Sequence, residues 1–252
     1  MLPAERQREI LELVRKHKVA SVTKLAKQFG VHPATIRRDL AEIEERGLLK
    51  RTHGGVIDDD TTSEPPFSVR AHEQFEEKER IGQHAAEMVA DGEHIIIDSG
   101  TTTLHMAKHL RNRKGLTVIT NDMNVASELR DALGVKVIVT GGTLYHGSYM
   151  LNGMFTDQML QSIHVQKAFI GTPAIDSVHG LTHPELELVT AKKWMIKAAQ
   201  QVIVTSDHTK IGKVSLHTVA SISEIHTFIT GKEAFEPQIQ KFINAGVHVI
   251  TV

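Results

Sequence analysis

The sequence predicts an α/β chain in two parts: a small helical head ending in a short hairpin, then a larger body built on a mainly parallel sheet. Three observations predict it. Apolar residues recur at helical spacing through the first fifty positions. Beyond position 90, short apolar runs rich in β-branched residues alternate with helical stretches, the pattern of a parallel sheet covered on both faces. The charge divides along the same line, with 12 Lys/Arg against 7 Asp/Glu in residues 1–57 and 17 against 23 in the rest. A basic head on an acidic body points to a polyanion as the partner of the head.

The first helix is predicted over 5–16, with Ile10, Leu11, Leu13 and Val14 on one face. A second fits 22–29, capped by Ser21 or Thr23, with Leu25, Ala26 and Phe29 inward. Gly30 makes a tight turn and Val31 plugs the core. Pro33 then opens a third helix running to about 46, because its missing N–H would be unpaired in a first turn anyway. Ile36, Leu40 and Ile43 point inward. The outward set is His32, Ala34, Thr35, Arg37, Arg38 and Asp39.

Two short helices, a glycine turn and a longer helix make a helix–turn–helix, whose last helix enters the major groove of DNA. An isolated Arg-Arg pair is explained by solvation alone. On the third helix of this pattern, Arg37 and Arg38 are expected to grip DNA, with Thr23, His32, Ala34 and Thr35 beside them. Residues 47–56 alternate and end in Gly54-Gly55, which reads as a wing. Its Lys50, Arg51 and His53 are suited to a neighbouring phosphate or a minor groove.

The stretch SVTKLAKQFGVHPATIRRDLAEIEERGLLKRTHGG resembles the signature of the DeoR family of bacterial transcriptional regulators. His32 stands where that family usually has a serine cap.

Residues 58–66, DDDTTSEPP, read as the core of a linker. The expected division is a winged helix–turn–helix over 1–57, a linker over 58–72 and a second domain over 73–252. In the body, a helix is predicted at 74–89. Strands are predicted at 94–98, 116–120, 135–140, 167–171, 201–206, 226–230 and 247–252. Helices are predicted at 102–110, 125–133, 188–199 and 237–244.

Open parallel sheets bind ligands beyond the carboxyl ends of their strands. Those ends carry Asp98, Ser99, Gly100, Thr101, Thr102 and Thr103, then Asn121, Gly141-Gly142, Gly171-Thr172, and Asp207 with Lys210. A helix start, threonine hydroxyls and a lysine suit a phosphate; Asp98, Asn121 and Asp207 suit sugar hydroxyls. Taken singly, each residue is better read as a cap or a turn former; their recurrence along one edge carries the functional reading.

The body is similar to the DeoR-family sensor domain, whose fold resembles ribose-5-phosphate isomerase. That resemblance implies that 98–103 line the phosphate end of an effector pocket. It also implies roles for Asn121, Gly141, Gly142, Lys192, Asp207 and Lys210. The chain has Gly171-Thr172-Pro173-Ala174-Ile175-Asp176 where the family often has Gly-Ala-Asp-Gly-Ile-Asp, and Tyr145-His146 where it often has arginine.

The absence of cysteine excludes disulfides and thiolate zinc sites and favours a cytoplasmic home. No apolar run approaches the roughly 18 residues of a membrane span, and MLPAERQREI lacks a signal-peptide core. No Walker loop, His-Glu-x-x-His or Gly-x-Ser-x-Gly is present. His105 and His109 are four apart on a helix without an evident third ligand, so neither metal nor cofactor is expected.

The reading is a homo-oligomeric (dimer or tetramer) regulator without enzymatic activity. It represses a carbohydrate-utilisation operon by binding double-stranded operator DNA and is relieved by a phosphorylated sugar. The alternatives are a DNA-tethered sugar-phosphate isomerase, with Asp98, Asp122, Glu185 and Asp207 as carboxylates and Lys192 or Lys210 as stabiliser, and an architectural or activating DNA binder whose body only oligomerises.

Overall fold

The computed structural model describes residues 2–17, 19–46, 48–52, 54–57, 65, 67–145 and 148–252. The chain divides into two compact units, Met1–Pro66 and Phe67–Val252.

In the first unit, α1 (Pro3–His17) buries Ile10 and Val14, while Leu11 and Leu13 are only half-buried. A strand the sequence did not suggest, β1 (Val19–Ser21), precedes α2 (Val22–Phe29). Ser21, not Thr23, caps α2: its Oγ accepts the Lys24 N–H at 3.2 Å. Gly30 ends that helix at φ 63°, a left-handed geometry costly for any residue with a Cβ, and its N–H returns to the Ala26 carbonyl. Next comes α3 (Pro33–Glu45), with Ile36, Leu40 and Ile43 buried as expected. Strands β2 (Lys50–Thr52) and β3 (Gly55–Ile57) form the hairpin, and β1 adds to it in the order β1-β3-β2. Gly54-Gly55 therefore sits at the turn instead of ending the hairpin.

Asp39 does not point outward. It is buried and takes a two-pronged hydrogen bond from Arg6 of α1, Nε–Oδ2 2.6 Å and Nη2–Oδ1 3.0 Å. Position 39 falls three after Ile36 and one before Leu40, which puts it on the inner face once the helix is built.

The second unit opens with α4 (Phe67–Arg70) and α5 (Phe75–Glu87). Phe67, within the stretch expected to be linker, is buried and packs edge-on against Tyr149, ring centroids 5.4 Å apart. The seven predicted apolar runs become seven strands of one parallel sheet: β4 (His94–Ile97), β5 (Leu116–Thr120), β6 (Val135–Val139), β9 (Val165–Gly171), β12 (Ala199–Thr205), β14 (Thr227–Thr230) and β15 (His248–Thr251). Their order is β15-β14-β12-β9-β4-β5-β6. The chain starts in the middle at β4, builds outward to β6, then crosses back to β9 and builds the other way. The reversal between β4 and β9 is the switch point at which such sheets open a crevice.

Helices α6 (Thr101–His109), α7 (Met123–Leu129), α8 (Met154–Gln161), α9 (Leu186–Ala198) and α10 (Glu236–Asn244) cover the sheet. Ile95, Ile97, Val118 and Ile203 pack with Ile81 and Met106, on the side of α5, α6 and α7. Ile96, Ile119, Val202 and Val204 pack with Leu160, Met195 and Phe242, on the side of α8, α9 and α10. Short pieces went unforeseen: the β7 (Thr143–Leu144)–β8 (Leu151–Asn152) hairpin, α8, and a small antiparallel sheet of β10 (Ala174–Asp176), β11 (Gly180–His183) and β13 (His217–Ala220).

Candidate functional site

On the head, Ala34, Arg37 and Arg38 of α3 are exposed, Thr35 is half-buried and Thr23 of α2 is exposed. Histidine serves as the α3 cap: His32 Nδ1 accepts the Ala34 N–H at 3.2 Å. Arg51 is exposed. Its N–H bonds Glu44 Oε1 at 2.9 Å and its guanidinium lies 3.7 Å from the same carboxylate. His53 and the side chain of Lys50 lie outside the described residues.

In the body, the predicted edge residues divide between the two faces of the sheet. Asp98 follows β4, whose Ile96 faces α9, and alternation points Asp98 to the same side. It is fully buried. Its Oδ2 takes hydrogen bonds from Lys192 Nζ of α9 and from the Gly171 N–H at 3.0 Å; Lys192 also donates to the Gly171 carbonyl at 2.9 Å. Burial pushes the Asp98 carboxyl up, and the Lys192 ammonium and hydrogen bonds pull it part of the way back. Ile97 is level with Thr120, so Asp98 and Asn121 come next to each other on adjacent strands. Asn121 Nδ2 donates to the Leu151 carbonyl at 3.2 Å.

Several edge side chains are engaged in holding the turn. Ser99 Oγ donates to Asp122 Oδ2. Asp122 Oδ1 in turn caps α7 through the N–H groups of Asn124 (2.6 Å) and Val125 (3.1 Å), and burial raises this carboxyl as well. Thr103 Oγ1 donates to the carbonyls of Asp98 (2.7 Å) and Gly100 (3.0 Å). Thr101 and Thr102, in the first turn of α6, are buried. The Gly141 carbonyl accepts from Thr156 Oγ1 at 2.6 Å.

Asp207 lies on the opposite face, toward α5. Its Oδ1 caps the following turn through Thr209, N–H at 3.0 Å, and its Oδ2 lies 3.9 Å from Lys78 Nζ. Lys78 is buried among the core residues of α5, donates to the Arg70 carbonyl at 2.5 Å, and is lowered below the usual lysine range by that burial. A Cβ on Gly82, one turn along α5, would meet the Met106 nitrogen at 2.6 Å. The two helices touch there, and nearer its start α5 meets the second half of α6, where Phe75 packs on His105 and Glu79 bonds His105 and His109. Lys210 is half-buried beside this group. The edge thus combines an amide, carboxylate and lysine cluster under α9 with a second group, Lys78, Asp207 and Lys210, under α5. The first suits hydroxyls and the second an anion.

Lys78 escaped the sequence reading as a pocket group because it lies in no distinctive motif, and Asp122 was weighed only as a carboxylate of the isomerase alternative. The missing partner of His105 and His109 also emerged: Glu79 of α5 bonds both, His109 Nε2 at 2.8 Å. Among the described residues, Glu77, Asp207 and His208 place ligand-type atoms within 4.8 Å of one another. Glu77 already accepts the His208 N–H and contacts its Nδ1, each at 2.7 Å. No helix among the described residues is long and apolar enough to cross a membrane.

The DeoR-like helix-turn-helix domain matches residues 6–62 and the DeoR C terminal sensor domain matches residues 73–232. The chain is 34% identical over 251 residues to the HTH-type transcriptional regulator GlpR of Haloferax volcanii, covering 99% of this chain and 98% of that protein. It is 36% identical over 233 residues to the HTH-type transcriptional repressor GlcR of Bacillus subtilis, covering 92% and 90%. Among solved structures, ribose 5-phosphate isomerase A from Methanocaldococcus jannaschii is similar with 17% identity and a TM-score of 0.39, covering 53% of this chain and 52% of that one.

Proposed function

The chain belongs to the DeoR family of transcriptional regulators, and from that premise we propose that it represses a carbohydrate-utilisation operon and releases its operator on binding a phosphorylated sugar. It is a DNA-binding regulator and not an enzyme. The observation that carries the finer reading is the pairing, within one chain, of the exposed Arg37–Arg38 face of α3 with a buried polar cluster at the switch point of the body.

DNA contact falls to Thr23, His32, Ala34, Thr35, Arg37, Arg38, Lys50, Arg51 and His53. Arginine at the start of a recognition helix pairs bidentately with guanine or clamps phosphate. The effector sits against Asp98–Thr103, Asn121, Gly141, Gly142, Lys192, Asp207 and Lys210, with Lys78 added as a cation for its phosphate. The protein acts in the cytoplasm as a homo-oligomer, so that two heads read two half-sites. The larger unit holds the assembly. It exposes Leu144, Tyr149, Met154 and Phe155 close together in sequence, apolar surface of the kind that marks contact sites.

One experiment tests the whole reading. The protein is bound to DNA from upstream of its own operon and titrated with a panel of sugar phosphates, while the same compounds are followed for product over hours. Release of DNA by one compound, without turnover, is the expected result. Steady turnover abolished by Asp98→Asn would overturn the sensor reading. Light scattering on residues 65–252 tests the oligomer, and a monomer at micromolar concentration refutes it.

A further inference from the structure

Among the described residues eight buried side-chain polar atoms lack a partner, and four of them belong to Asp98, Asn121 and Asn152. Among the described residues, Asp98 Oδ1, Asn121 Oδ1 and both amide atoms of Asn152 are buried with no hydrogen bond inside the protein. Buried polar side chains are nearly always bonded, so such a group needs an explanation. Asn152 lacks both of its bonds and is 7% exposed.

These groups belong together. Asn121 is fixed from both sides by Leu151: its backbone carbonyl accepts the Leu151 N–H at 2.7 Å and its Nδ2 donates to the Leu151 carbonyl. That leaves Oδ1 as the free end of a held amide. Asn152 is the next residue in β8 and pairs with Thr143 across the hairpin. The Gly141-Gly142 turn closes over it. Gly142 has φ 114°, and a Cβ there would meet the Asn152 carbonyl oxygen at 2.5 Å and Thr156 Oγ1 at 2.6 Å. Asp98 is the strand neighbour of Asn121.

We infer that Asn152, acting with Asn121, reads hydroxyl groups of the effector and sets which polyol the pocket accepts. The inference rests on the sugar-phosphate reading above and adds a residue and a task to it. The chemistry is that of a polyol. Asp98 Oδ1, Asn121 Oδ1 and Asn152 Oδ1 accept from hydroxyl protons, and Asn152 Nδ2 donates to a hydroxyl oxygen. A phosphate offers only acceptors at neutral pH and would face three unpaired oxygens here. The anion therefore belongs at the lysine side and the carbon chain runs toward β8.

The test uses the full-length protein and thermal shift or calorimetry. The probes are inorganic phosphate, phosphorylated polyols and sugars of three to six carbons, and single-deoxy analogues of the tightest binder. Asn152→Ala should weaken that binder at least about tenfold, the scale of one buried hydrogen bond, and leave inorganic phosphate unchanged. One deoxy analogue should bind the parent as weakly as it binds the variant, because the same contact is missing in both. Asn152→Asp keeps the shape and serves if the alanine variant fails to fold. If a phosphorylated polyol binds the parent and both variants equally, Asn152 is only a structural amide and the inference falls alone. If no phosphorylated polyol binds the parent, the sugar-phosphate reading falls and this inference with it.

Discussion

Lys192 and Asp98 meet inside the protein, the ammonium coming from the second turn of α9 and the carboxylate from the residue after β4, with the Gly171 N–H donating to the carboxylate and the Gly171 carbonyl accepting from the ammonium. Neither is exposed to solvent by more than a few per cent. The pair ties the two halves of the sheet together at the switch point. Removing one partner strands the other charge in the interior, which costs about 3–5 kcal/mol. Lys192→Met should therefore lower stability by that order in urea unfolding. Lys192→Met combined with Asp98→Asn should recover most of the loss, since no uncompensated charge remains. A double variant as unstable as the single one would mean that the charge pairing is not what matters.

The head offers a contrast between two neighbours on α3. Arg37 is exposed, whereas Asp39 is buried and held by Arg6. Arg37→Ala should leave the fold intact and weaken operator binding by about 1–3 kcal/mol if it reads a base. Asp39→Ala should instead destabilise the head by about 3–5 kcal/mol. Melting curves and binding to operator and scrambled DNA separate the two. Equal operator affinity of parent and an Arg37→Ala, Arg38→Ala variant would remove α3 from the DNA contact.

His183 gives the body a pH dependence. Burial, with the Lys192 charge nearby, holds its pKa down to about 3, against 6.5 for a free histidine. Between these values the unfolded chain binds a proton that the folded chain refuses. The stability associated with neutral His183 is complete above pH 6.5. It is lost as pH falls toward 3, at up to about 1.4 kcal/mol per pH unit. Denaturant unfolding from pH 7.5 to 4.5 should show this slope. His183→Asn keeps an acceptor for the Glu185 N–H, bonded at 3.0 Å in the parent, and should flatten the slope. An unchanged slope would place the titration elsewhere.

How much was legible in the sequence follows from the range of the forces involved. All seven strands of the main sheet could be read, because each is a short run rich in β-branched apolar residues, continuous in the central strands that are buried on both faces. The three helices of the head followed from spacing and from the Gly30 turn. The short strands β1, β7, β8, β10, β11 and β13, of two to four residues each, are made by partners distant in sequence and leave no local periodicity. The same holds at the site. Asp98, Asn121 and Lys210 stood out because they end strands or turns. Lys78 did not, since one lysine in EEKER looks like any solvated charge until α5 is laid against β12. The inward turn of Asp39 was missed for the converse reason: its partner, Arg6, lies 33 residues away.

Lys78 then decides how the effector is held. Its ammonium is buried and 3.9 Å from Asp207, too far for a short ion pair. A phosphate arriving there gains the charge of Lys78, with Lys210 close by. Lys78→Met preserves the length and apolar contacts of the side chain while deleting the charge. The substitution takes a cation from beside the buried Asp207 and the donor from the Arg70 carbonyl, so it should lower stability by up to about 3–5 kcal/mol, and binding is measured well below the variant's melting temperature. It should bind operator like the parent. Its response to a sugar phosphate should weaken at least about tenfold, since a charge-assisted hydrogen bond contributes roughly 1.5–3 kcal/mol. A ligand can drive release of DNA only through unequal affinity for the two states, so weaker binding shifts the release curve to higher concentration. Operator release by Lys78→Met at the parental concentration of sugar phosphate would move the phosphate away from α5 and return it to the α9 face of the sheet.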